Sequence, residues 1–256
     1  MRYEHIMTAA MHCVVFVGIA CTALAQQPVP AAGRPGQAAG GGRGGGRPAL
    51  FLREEWKQVP GGGGRPALFL REEWKQVPGG GEHPVTPEAV ANPNLELKLY
   101  GTSSKEIQLT GSAQDENNPI HVWTGLCTTP CAVALRDKNN FADLTGLARI
   151  RWVTKVSGFH QVRPIVKLAD GTWLVGDHTD GSSVDWLQSE FSLADVRWLK
   201  LDINGVITKG SWVDKPDLSR IDEVGFADLL PGSGHGQGGW SDVAAIEVFG
   251  KSVKRQ

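Results

Sequence analysis

Between residues 95 and 249 apolar side chains return at every second position, in runs too short for helices. Leu95-Glu-Leu-Lys-Leu99 alternates strictly, and Ile107 and Leu109 alternate after a GTSS turn. Ala148, Ile150, Trp152 and Val156 fall on one face of the run 148–156, with Arg149, Arg151 and Lys155 on the other. Ile120–Trp123, Trp198–Ile203 and Ala245–Phe249 are further short runs, and polar turns separate them all. A period of two marks half-buried strands, and no stretch holds a helical period over 12 residues. Many short strands divided by turns predict an all-β chain folded as a two-sheet sandwich.

Turn chemistry predicts the hairpins. Asn204-Gly205 after Trp198–Ile203 is one signal, and Asp170-Gly171 inside VRPIVKLADGTWLVGDH is another. A two-residue turn at Asp170-Gly171 sets Leu168 opposite Trp173 and Val166 opposite Val175, facing the core. Lys167, Ile165 and Arg163 then lie on the other face, with Arg163 opposite His178. That cationic, partly apolar face is either solvated or one wall of a shallow groove.

The chain starts differently. Arg2 and His5, an apolar run from Met7 to Ala23 and the Ala23-Leu24-Ala25 site predict a cleaved signal peptide over 1–25, with no membrane span after cleavage. Residues 26–63 read as a Gly/Pro-rich linker, 64–250 as the sandwich domain and 251–256 as a tail. Within this stretch GRPALFLREEWKQVPGGG occurs at 46–63 and again, unchanged, at 64–81. The second copy supplies a first strand or edge segment over Ala67–Gln76, and the first is either redundant or a source of strand exchange. Export, to a periplasm or the exterior, makes a disulfide between Cys127 and Cys131 the expected state. No His follows Cys131 for haem, and no second ligand pair suits zinc.

Chemistry-bearing motifs are few. A net charge of −1 argues against steering to nucleic acid. Gly234-x-Gly236-x-x-Gly239, in GSGHGQGGW (232–240), matches a dinucleotide fingerprint in letters only, because a strand pattern follows it rather than a helix. It reads as a mobile loop between the last two strands, carrying His235 and Trp240. The chain has nine Trp. Trp152, Trp173 and Trp198 lie in strand patterns and suit the core; Trp123, Trp186, Trp212 and Trp240 lie near turns or strand ends, where an indole face can stack on a sugar. Carboxylates abound, but no motif singles out a catalytic pair, and neither a G-x-S-x-G elbow nor H-E-x-x-H occurs.

Three segments carry a resemblance to a known family. Asp143-Leu-Thr-Gly146 leading into Ile150-Arg151 and the following hairpin is one. Asp217–Leu229 and Ser241–Gly250 are the others. Together they resemble a galactose-binding-like jelly roll of carbohydrate-binding modules, over roughly 141–250. The resemblance implies a jelly roll with ligands on a concave sheet face or on end loops. It also implies a structural calcium ion, with Asp177, Asp180 and Asp242 as candidates. The function expected is non-catalytic glycan or polysaccharide binding. Trp186, Trp212 and Trp240 would stack on the sugar, and Arg163, Lys167, His178 and His235 would hydrogen-bond it. Two alternatives stay open: a glycoside hydrolase with an Asp/Glu pair, and a structural or adhesion domain.

Overall fold

The computed structural model describes residues 66–255. The expected signal peptide, the linker and the first repeat copy lie outside the described residues. Sixteen strands and no α-helix are found among those described. The first eight are β1 (Leu68–Glu73), β2 (His83–Pro84), β3 (Leu95–Tyr100), β4 (Gln108–Thr110), β5 (His121–Trp123), β6 (Cys131–Asp137), β7 (Asn140–Asp143) and β8 (Arg149–Val156). The rest are β9 (Val162–Leu168), β10 (Trp173–Gly176), β11 (Leu187–Ser192), β12 (Trp198–Asp202), β13 (Ile207–Val213), β14 (Ile221–Asp228), β15 (Ser241–Phe249) and β16 (Lys251–Lys254).

They form two antiparallel sheets of a jelly-roll sandwich. The seven-stranded sheet runs β11-β8-β15-β5-β4-β2, with β1 also paired to β15. The nine-stranded sheet runs β13-β12-β10-β9-β14-β6-β3, with β7 joined to β14 and β16 to β7. Between the sheets lie Ile150, Trp152, Val166, Leu174, Phe226 and Ile246, all buried. β8 follows its sequence pattern: Ile150, Trp152 and Val156 point inward, while Arg149, Arg151 and Lys155 stay partly exposed.

β1 comes from the second repeat copy. It pairs with β15 from Leu68↔Phe249 to Glu73↔Ala245. Leu70 and Trp74 enter the core, and the Trp74 indole donates to the Val243 carbonyl at 2.9 Å. Glu72 is fully buried and accepts from the backbone amides of Ala91 (2.6 Å) and Asn92 (3.1 Å). Burial raises its pKa, and those two amides oppose the rise.

Two expectations are corrected. First, the β9–β10 register is shifted by one residue: Trp173 faces Lys167, Leu174 faces Val166 and Val175 faces Ile165. Leu168 N donates to Thr172 O and Gly171 N to Leu168 O, so three residues make the loop, with Gly171 at φ +89°. A left-handed third residue after a type I turn is the alternative to a two-residue turn. The slip sends Trp173 and Val175 to the outer face of the sheet, because side chains alternate. Second, residues 251–254 are not a tail; β16 pairs with β7 from Lys251↔Asp143 to Lys254↔Asn140. The Asn204-Gly205 hairpin forms as expected, Asp202 pairing with Ile207, and its left-handed residue is Val206, φ 52°. Its side chain is buried against Gly101.

Cys127 and Cys131 form a disulfide, four residues apart and buried. So short a loop limits the entropic gain to about 2 kcal/mol. Reduction is expected to lower the urea-unfolding free energy by no more than that, measured with and without a thiol.

Candidate ligand-binding surface

β5 and the start of β15 position an aromatic patch on the outward face of the seven-stranded sheet. Val122 is buried in the core, so the period of two turns His121 and Trp123 outward. Asp242 lies directly opposite Trp123 on β5 and Lys155 on β8. His121 Nε2 approaches Asp242 Oδ1 at 3.5 Å, and the Trp240 indole donates to Asp242 Oδ2 at 3.1 Å. Trp186 packs edge-on against His121, ring centroids 5.0 Å apart, and donates to the Asn117 carbonyl at 3.1 Å. His235 lies over Trp123, centroids 4.9 Å apart, and meets Glu82 at 3.5 Å. Trp186 and Trp240 are half-buried and His235 is exposed.

The glycine-rich loop 232–240 joins β14 to β15, as its flanking patterns predict, and hydrogen bonds hold both of its ends. Gly232 N donates to Cys127 O and Gly234 N to Gly125 O, both at 2.7 Å. A Cβ on Gly232 would lie 2.1 Å from the Gly125 oxygen, so the close approach requires glycine. Ser233 Oγ accepts from Gly239 N at 2.8 Å. Beneath the loop His160 Nδ1 meets Asp228 Oδ2 at 2.7 Å, and Thr124 Oγ1 donates to the same oxygen at 2.9 Å.

The base of the patch holds two displaced titrations. His121 Nδ1–H donates to the Pro119 carbonyl at 2.7 Å. Burial lowers the His121 pKa to about 4. Burial raises that of Asp242 to about 7, against the opposing bond from Trp240. The Asp242 Oδ1 that faces His121 is buried and has no hydrogen-bond partner.

The remaining candidates lie elsewhere. Arg163 and Lys167 are on the outward face of the nine-stranded sheet. There Lys167 bridges Glu223 (2.9 Å) and Asp222 (3.0 Å), and Tyr100 donates to Glu223 at 2.7 Å. Asp222 also pairs with Arg136 and Arg255. Burial would raise its pKa, but these cations hold it at about 2. The middle of that face is filled by Ile165, Trp173, Val175, Leu201 and Val206. Arg163 does not face His178; its Nε donates to the Gly176 carbonyl at 2.9 Å. His178 stacks on Phe191 at 3.7 Å instead. Trp212 is 52% exposed on β13, with the Arg197 guanidinium 4.5 Å over its ring, beside a cleft of about 490 Å³.

The expected calcium cage does not form. Asp177 is paired with Arg197 at 2.8 Å, Asp180 accepts bonds inside the sandwich, and Asp242 lies under the aromatic patch. No cluster of three or more His, Cys, Asp or Glu able to hold a metal occurs among the described residues. Each carboxylate already has a protein partner, leaving no shared oxygen cage.

Solved structures similar to this chain include several sugar-binding domains. One is a family 11 carbohydrate-binding module from Clostridium thermocellum in complex with a β-1,3-1,4-mixed-linked tetrasaccharide. It is 17% identical, with TM-score 0.41, over 69% of this chain and 99% of that one. A family 61 module in complex with β-1,4-galactotriose is 13% identical, with TM-score 0.35, over 60% and 88%. A xylan-binding module of family 15 is 13% identical, with TM-score 0.35, over 68% and 99%. No protein family and no curated protein matches the sequence.

Proposed function

We propose that this chain is an exported, non-catalytic glycan-binding domain, and that the glycan lies across the patch of Trp186, Trp240 and His235. One observation carries the reading: residues separated by about 50 positions in sequence converge with Trp123 and His121 on a single face. Indole faces suit the axial C–H groups of a pyranose, and the histidine edge and nearby loop carbonyls suit its hydroxyls. An open surface of this kind binds weakly, because little of the sugar is desolvated.

The test is a glycan array followed by calorimetry on the purified chain. Trp186→Ala and Trp240→Ala are each expected to weaken binding about tenfold, equivalent to roughly 1.4 kcal/mol. Trp212→Ala, at the edge of the other sheet, is expected to leave it unchanged. Binding that survives both patch substitutions and is lost with Trp212→Ala would move the site to the β13 cleft. A chain that retains no glycan on the array refutes the function itself.

A further inference from the structure

The slot that receives β1 has a second fitting occupant in the same chain. The docked segment is held by Ala67 O accepting from Gly250 N (2.9 Å), Leu70 and Trp74 in the core, Glu72 on the Ala91 and Asn92 amides, and Lys75 N donating to Ala89 O (2.9 Å). Each of these residues has an identical counterpart 18 positions earlier: Ala49, Leu52, Glu54, Trp56 and Lys57. We infer that residues 49–57 exchange with 67–75 in pairing with β15, within one molecule.

No docked contact distinguishes the two copies, since the residues that meet the slot are the same. Only the connection onward to β2 differs. From Lys75 to His83 the chain spans residues 76–82; from Lys57 it spans residues 58–82. Loop closure follows the three-halves power of length, so the longer connection lowers that register about sevenfold. Roughly one folded molecule in eight then carries the first copy in the slot. A strand from another molecule makes the same contacts, but it competes with two tethered copies at an effective concentration of about 1 mM. Exchange inside the chain therefore prevails at micromolar protein. The consequence is a first strand that can be damaged or displaced without leaving its slot empty.

Substitution of the paired tryptophans tests the exchange. Deleting a buried Trp side chain ordinarily lowers a folding equilibrium on the order of several hundredfold. Trp74→Ala is expected to lower it only about eightfold, because Trp56 moves in. Trp56→Ala alone is expected to have almost no effect, and the double variant to show the full loss. A Trp74→Ala loss as large as that of the double variant overturns the inference. A second measurement traps the register directly. Arg71 and Glu247 are opposite one another and ion-paired at 3.2 Å. An Arg53→Cys, Glu247→Cys chain is therefore expected to form a disulfide within the monomer under mild oxidation. The absence of that crosslink refutes the exchange. Its appearance only between molecules assigns the slot to a second copy of the chain and refutes exchange within one.

Discussion

Replacing Asp180 by alanine is expected to lower stability by roughly 3–5 kcal/mol, the range for breaking a buried, hydrogen-bonded charge. Its carboxylate is only 7% exposed and holds the 177–186 segment to the seven-stranded sheet. Oδ2 accepts from Ser189 Oγ (2.5 Å), the Trp152 indole (2.7 Å) and Thr154 Oγ1 (3.2 Å), while His178 Nε2 approaches Oδ1 at 3.3 Å. Alanine strands the indole N–H of a fully buried tryptophan and two hydroxyls, and each unmet donor keeps its desolvation cost. Asp180→Asn preserves shape and one acceptor oxygen, so it should lose less. Burial alone would raise the Asp180 pKa, but the hydrogen bonds from His178, Ser189 and Trp152 outweigh it, and the net shift is downward from 3.8. A depressed folded pKa means stability that is present above pH 3.8 and lost as pH falls through the folded value. Urea midpoints at pH 7 and in a series down to pH 2 test this. Asp180→Ala within 1 kcal/mol of the parent, or an Asp180→Asn variant with the parent's acid slope, contradicts it.

The role of Asp180 could not be read from the sequence, because Ser189, Thr154 and Trp152, which donate to its Oδ2, lie 9 to 28 positions away on other strands. What could be read was whatever period and turn chemistry dictate locally. The inward residues of β8, the half-buried β3, the Cys127–Cys131 bridge and the position of the glycine-rich loop all follow from residues adjacent in the chain. The β9–β10 hairpin shows the boundary of that logic. Asp-Gly serves both a two-residue turn and the end of a three-residue one, and choosing wrongly inverts every side chain on β10. The patch was half visible: Trp186, His235 and Trp240 are turn residues with chemistry. Trp123 is legible as a strand-end indole, whereas His121 reads only as part of a strand, although an inward Val122 already forces both outward. Only the pairing of β15 with β5 brings Asp242 beneath them.

That pairing makes opposite pH slopes the expected behaviour of two single substitutions. Unfolded, Asp242 and His121 titrate near 3.8 and 6.5; folded, near 7 and near 4. Between about pH 4 and 6.5 the unfolded pair is carboxylate plus imidazolium, and the folded pair is neutral acid plus neutral imidazole. Each state holds the same number of protons, so the pair contributes no pH dependence to the parent protein in that window. Asp242→Asn reproduces the neutral acid and leaves His121 alone with a lowered folded pKa. Its stability is complete above 6.5 and falls as pH drops toward 4, by about 3 kcal/mol at 1.36 kcal/mol per pH unit. His121→Gln leaves Asp242 alone with a raised folded pKa. Its stability is complete below 3.8 and falls as pH rises toward 7, by on the order of 4 kcal/mol. Lys155, opposite Asp242, favours the carboxylate and disfavours the imidazolium. It is present in both variants and cannot reverse either slope. At pH 8 Asp242→Asn should also exceed the parent in stability, because only the parent then buries an ionised carboxylate whose Oδ1 has no partner. Unfolding curves at five pH values for the three proteins decide the matter: parallel slopes would mean that burial does not move these two groups past one another.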